Sequence, residues 1–161
     1  MIALRRHNIF KLKIGLRSVE SDVEHVLAIK RALGSEVSVR VDVNQAWSEL
    51  NAVKGIAALQ AGGIDLIEQP VKATYKGSMA RLTNQFAVAI MADEALHGPS
   101  DALDLANKYA ADVFAVKINQ SGGLFPALQV ATIAELSGIS LYGGTMLEGA
   151  VGTAASAHVF S

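Results

Sequence analysis

Short apolar runs and longer amphipathic stretches alternate along the whole chain. Residues 8–14 (NIFKLKI) form a short apolar run bounded by polar residues, which predicts a β-strand. Residues 18–33 set Val23, Val26, Leu27, Ile29 and Leu33 roughly on one helical face, with Ser18 as the cap and Gly34 as the stop. The same reading gives strands over 37–43, 64–68, 88–92, 113–118 and 139–142. It gives helices over 48–61, 77–84, 100–110, 124–137 and 148–159, with Ser48 and Ser100 as caps of two of them.

Strand and helix alternate without interruption, which implies a parallel sheet covered by helices. Continuous apolar strands fit burial on both faces. An open doubly wound sheet is the alternative, but it usually carries a glycine-rich phosphate loop after its first strand. Here Gly15 stands alone after Lys13. The expected fold class is α/β, a partial (β/α) TIM-type barrel. Six units fall short of the eight that close such a barrel. Residues 1–161 therefore read as one segment of a longer protein, with sequence missing at both ends.

Each apolar run ends on a polar or glycine-rich cluster, and the clusters recur about every 25 residues. They are Lys11-Leu12-Lys13, Asp42-Val43-Asn44, Glu68-Gln69-Pro70, Asp93-Glu94, Lys117-Ile118-Asn119 and Gly143-Gly144-Thr145. In a barrel these clusters share the end where chemistry sits. Residues two apart on a strand point the same way, so Lys11 and Lys13 face inward together, about 7 Å apart. Their mutual repulsion, and any nearby metal, would lower an amine's pKa towards a usable base; the plainer alternative is an edge strand blunted by lysines. Asp42, Glu68 and Asp93 close three successive strands. Three converging carboxylates cannot all be ionised without a cation, and oxygen-only ligands suit Mg2+ or Mn2+. The alternative is that each acid caps a helix or pairs with a lysine.

Glu94 faces away from Asp93, which favours a local salt bridge over a ligand role. Lys117 lies across the barrel from Lys13 as a second proton carrier, a cationic stabiliser or a partner of Asp93 or Glu94. The Gly143-Gly144-Thr145 segment lets backbone N–H groups approach an anion. Glu148 reads as a first-turn helix residue favoured by the dipole. Trp47 either walls the pocket or is buried behind it. His7, His25, His97 and His158 show no metal-ligand spacing.

Composition narrows the partners. The net charge is −1 with no basic block, which argues against nucleic acid and membrane surfaces. No cysteine is present, so disulfides and thiolate sites are excluded. That suits a cytoplasmic enzyme, as does the absence of a signal-peptide core in residues 1–7.

Taken together, K-x-K, D-x-N, E-Q-P, D-E and K at successive strand ends resemble the barrel domain of the enolase superfamily, muconate-lactonising subgroup. RHNIFKLKIG, VRVDVNQAW, LIEQP, IMADEAL and LYGGTMLEG are similar to its cycloisomerases acting on cis,cis-muconate. The resemblance covers nearly the whole chain. It implies a (β/α)7β barrel with Asp42, Glu68 and Asp93 as ligands of Mn2+ or Mg2+. Lys13 matches the acid/base catalyst, Lys11 the partner that sets its electrostatics, and Lys117 the lysine on the opposite substrate face. Asn44, Glu94, Gly144 and Thr145 would support the site or the substrate. The implied reaction interconverts cis,cis-muconate and muconolactone in aromatic catabolism. The implied substrate is a small dicarboxylate, and the full-length form is expected to be a homo-oligomer.

Against the family pattern, the N-terminal capping domain, part of the first barrel strand and the final strand with its acidic motif are absent. The segment alone is therefore expected to be inactive. Chloromuconate cycloisomerase, o-succinylbenzoate synthase and dipeptide epimerase remain alternatives within the superfamily. Outside it stand a Schiff-base aldolase using Lys117 or Lys13, which needs no metal, and a silent fragment or binding module.

Overall fold

Charged side chains point inward and apolar ones outward along the second strand, and that alternation organises the molecule. The structure is a computed structural model and describes residues 7–161; the stretch 1–6, read as lacking a signal-peptide core, lies outside the described residues. The strands are β1 (Ile9–Lys13), β2 (Ser38–Asp42), β3 (Leu66–Glu68), β4 (Ala89–Ala92), β5 (Val113–Val116) and β6 (Ser140–Gly143). They pair in chain order as one six-stranded sheet, every pair parallel. The helices are α1 (Val19–Leu33), α2 (Glu49–Ala61), α3 (Lys76–Gln85), α4 (Pro99–Asn107), α5 (Ile118–Ser121), α6 (Leu124–Leu136) and α7 (Ala150–Phe160).

Val39, Val41, Ile67, Ile90 and Phe114 face the helices and meet Val26, Ile56, Leu59, Leu82, Leu105 and Val130 in the main core. Fully burying a side chain such as Ile56 or Leu59 contributes about 1.5–3 kcal/mol. The inner face carries a smaller core of Leu66, Met91, Val113 and Ala115. The sheet is curled: Arg40 of β2 places its guanidinium carbon 5.4 Å from the ring centroid of Tyr142 on β6, four strands away in the sheet order. Cation and ring face each other across the interior at cation–π distance.

Local signals explain most boundaries. Ser18 and Ser48 cap α1 and α2, accepting from Ser21 N and Asn51 N at 3.3 Å. Three expectations are corrected. Ser100 is not a cap: α4 starts at Pro99, which supplies the preset φ of a first helical residue, after Gly98 at φ 108°. The fifth strand ends at Val116 and not at Ile118, because Ile118 begins the short helix α5 with Lys117 at its cap position. Glu148 lies before α7 rather than in its first turn, since Gly149 is the cap residue.

Candidate active site

Parallel register carries Lys13, Asp42 and Glu68 to one level at the C-terminal ends of β1, β2 and β3. Asp93 follows the end of β4 and Lys117 the end of β5. These residues, with Lys11, Tyr142, Gly144, Thr145 and Met146, line a cavity of about 360 Å3.

The three carboxylates are buried, with exposures of 1% for Asp42, 1% for Glu68 and 3% for Asp93. Lysines compensate them. Lys11 Nζ donates to Glu68 Oε2 at 2.7 Å and lies 3.5 Å from Asp42 Oδ2. Lys13 Nζ donates to Asp42 Oδ2 at 2.9 Å and to Asn44 Oδ1 at 2.7 Å. Lys117 Nζ lies 2.6 Å from each Asp93 oxygen. Among the described residues, no three His, Cys, Asp or Glu side chains form a ready-made metal cage; acids and ammonium groups alternate instead.

Burial, opposed by the Lys11 hydrogen bond and reinforced by the charges of Asp42 and Asp93, pushes the Glu68 carboxyl up to about 7. For Lys11 the expected lowering is reversed: burial acts to lower its pKa, but the Glu68 hydrogen bond and the charges of Glu68 and Asp42 outweigh it and raise the value. The donor set fits a hard divalent cation: it is all-oxygen, buried, and faces one cavity.

Asn44 and Glu94 form a support. Asn44 Nδ2 donates to Glu94 Oε1 at 3.1 Å, and Asn44 N donates to Asp42 Oδ1 at 3.0 Å. Among the described residues Glu94 therefore makes no salt bridge, contrary to expectation, and its shielded Oε2 accepts no hydrogen bond. Gly144 N donates to Val116 O at 2.9 Å, so this N–H serves the sheet. What the glycine provides is room, since a Cβ there would stand 3.1 Å from Lys117 Cγ and Cε. Trp47 is buried and packs over Gly55, outside the cavity lining. Both Glu148 oxygens are shielded and without a hydrogen-bond partner among the described residues.

Two glutamines carry structure that local sequence patterns do not reveal. Gln69, fully buried, accepts from Asp93 N at 3.0 Å and Ala95 N at 3.1 Å, and donates to Val71 O at 3.0 Å. Gln120 Nε2 donates to Asp93 O at 2.6 Å and Leu96 O at 2.9 Å. The only local hint was position: Gln69 adjoins Glu68, and Gln120 lies three residues after Lys117 on the same helical face.

Residues 1–161 match, over their full extent, the family described as enolase C-terminal domain-like. The chain belongs to that family. It is 66% identical to muconate cycloisomerase 1 of Acinetobacter baylyi over all 161 residues, covering 44% of that protein. It is 49% identical over the same span to a chloromuconate cycloisomerase of Pseudomonas sp. (strain P51), again covering 44%. The fold matches a muconate lactonising enzyme from Pseudomonas fluorescens, solved with muconolactone, at TM-score 0.96 and 54% identity. That match covers 99% of this chain and 43% of the other. The chain thus spans under half the length of these relatives. Within the family frame, the partial parallel barrel with its helices is the α/β architecture anticipated from the alternating pattern.

Proposed function

We propose that this chain supplies the acid- and lysine-bearing part of a cycloisomerase that interconverts cis,cis-muconate and muconolactone. The observation that carries the reading is the single cavity in which three buried carboxylates and three lysines meet at the strand ends. The 66% identity to the A. baylyi cycloisomerase supports cis,cis-muconate as the substrate.

Asp42, Glu68 and Asp93 would hold Mn2+ or Mg2+, which when bound would supply electrostatic stabilisation for negative charge on a substrate carboxylate. The remaining work falls to the chain. One substrate carboxylate oxygen adds to the distal double bond, a C–O bond forms, and the electron pair moves towards the α-carbon and the other carboxylate. Lys13 delivers a proton to that α-carbon and removes it in the reverse direction. Lys11, between Glu68 and Asp42, sets the field at Lys13. Lys117 stabilises charge from the opposite face. Asn44 and Glu94 orient Lys13; Thr145 and the Gly144 segment border the substrate.

Residues 1–161 are, on this reading, a partial barrel domain that works with a capping domain and a final strand. The working protein is a cytoplasmic homo-oligomer without nucleic-acid or membrane partners. Among the described residues no helix is long and apolar enough to cross a membrane.

The decisive experiment grafts these residues in place of the matching 161 residues of the A. baylyi relative. With Mn2+, the graft should consume cis,cis-muconate at a rate comparable to that relative. Preference for a chloromuconate would favour the second reading, which the 49% identity to the Pseudomonas enzyme motivates. A folded graft inert towards both would overturn the cycloisomerase reading.

A further inference from the structure

Asp93 is the one proposed ligand reached from the element that follows its neighbouring strand. The short helix α5 presents Lys117 at its cap and Gln120 one turn on, and both meet Asp93. Their contacts differ in kind. Lys117 lies on the carboxylate oxygens, whereas Gln120 donates mainly to the main-chain carbonyl oxygens of Asp93 and Leu96, with a longer hydrogen bond to Asp93 Oδ1 at 3.4 Å. Leu96 N closes the same turn onto Asp93 O at 2.9 Å. On the other side Gln69 accepts from Asp93 N and Ala95 N. The turn is therefore gripped at its donors by one amide and at its acceptors by another. α5 also packs closely on the start of α4: a Cβ on Gly98 would come 3.0 Å from Ser121 O.

We propose that Gln120 is a positioning residue that fixes where Asp93 presents its carboxylate. The inference rests on the reading that Asp42, Glu68 and Asp93 hold a divalent cation. Its physical basis is a division of labour. An ammonium group on a carboxylate offsets the charge that a cation would meet, so the Lys117 contact draws on the same oxygens that would coordinate. A neutral amide bound to the main chain holds the ligand's backbone without neutralising its charge. Groups that orient metal ligands in this way typically change metal affinity ~10–100-fold when removed.

The test is Mn2+ affinity, read as free Mn2+ by electron paramagnetic resonance, on the graft into the A. baylyi relative. Gln120→Met keeps the length and loses the donors; Gln120→Asn keeps the amide but withdraws it by one methylene. Asp93→Asn is the control for the site itself. The expected result is a loss of ~10–100-fold for Gln120→Met and a smaller loss for Gln120→Asn, with larger loss for Asp93→Asn. Full Mn2+ affinity in either Gln120 variant, with Asp93→Asn impaired, overturns the positioning role and leaves the metal reading standing. Full affinity in Asp93→Asn overturns the metal reading itself. A Gln120→Met protein that melts earlier yet binds Mn2+ as tightly as before also overturns the inference, because it makes the amide a packing element only. Should Gln120→Met fail to fold, the milder Gln120→Asn decides alone.

Discussion

Lys13 and Asp42 are 2.9 Å apart, yet their substitutions should have separable effects. Lys13 is half out of the protein, with its side chain 65% exposed, so truncating it opens no cavity. Lys13→Ala in the graft should lower kcat by ~10^2–10^4, the usual contribution of a positioned acid or base, while Mn2+ affinity changes little. Asp42→Asn should instead weaken Mn2+ binding first. Retention of most of kcat by Lys13→Ala would transfer the proton-transfer role to Lys117. Gln69 is a different kind of residue. Replacing it with Leu keeps the volume but strands Asp93 N, Ala95 N and Val71 O without their side-chain partner. Each unsatisfied buried group costs ~1–3 kcal/mol, so denaturant unfolding should show a loss of about 3 kcal/mol or more. The acids and lysines were legible one by one, because each ends an apolar run. The glutamines were not: their partners in the Asp93–Leu96 turn lie 24 to 27 residues away in sequence, and no local periodicity encodes such a pairing.

At the scale of elements, α2 and α3 are clasped by polar contacts at their exposed edge. Arg81 donates from Nε and Nη2 to the two Glu49 oxygens at 2.6 Å, and Ser78 Oγ adds a third hydrogen bond at 2.6 Å. The Arg81 and Ser78 hydrogen bonds hold the Glu49 carboxyl down to about 2. A carboxyl lower in the folded than in the unfolded state stabilises fully above the unfolded value and loses that effect as pH falls towards the folded one. The thermal stability of Glu49→Gln should therefore trail the unsubstituted graft near neutrality, and the gap should close between about pH 4.5 and pH 2. A gap that persists at pH 2 would assign the effect to packing. Elements were read from the chain wherever a cap or a stop is local: Ser18, Ser48 and Gly34 act within one turn of their own helices. Where the reading slipped, two signals competed. Ile118 continues the apolar run of β5, yet the backbone turns into α5 after Lys117. Ser100 resembles a cap, yet Pro99 before it already satisfies the first helical position.

For the whole molecule the governing fact is an open sheet. Among the described residues β1 and β6 each pair on one side only. Unpaired strand edges recruit other chains, and here they carry apolar side chains: Ile9 is 50% exposed on β1 and Leu141 49% on β6. Phe160 of α7 stands beside β6, lining with Leu141 and Tyr142 a cavity of about 240 Å3 on that flank. α6 is apolar around most of its circumference, so Phe125, Leu128 and Leu136 remain exposed on its outer side. The chemistry points the same way, because charge interactions at an uncovered site are weakened by water. We therefore expect the 161-residue chain by itself to self-associate or unfold partly and to show no muconate turnover, while the graft is stable and active. Purified chain with Mn2+, followed by light scattering and by loss of muconate absorbance, checks both halves. A stable monomer turning over muconate near the rate of the graft would show that six strands suffice for the reaction and that the open edges are tolerated.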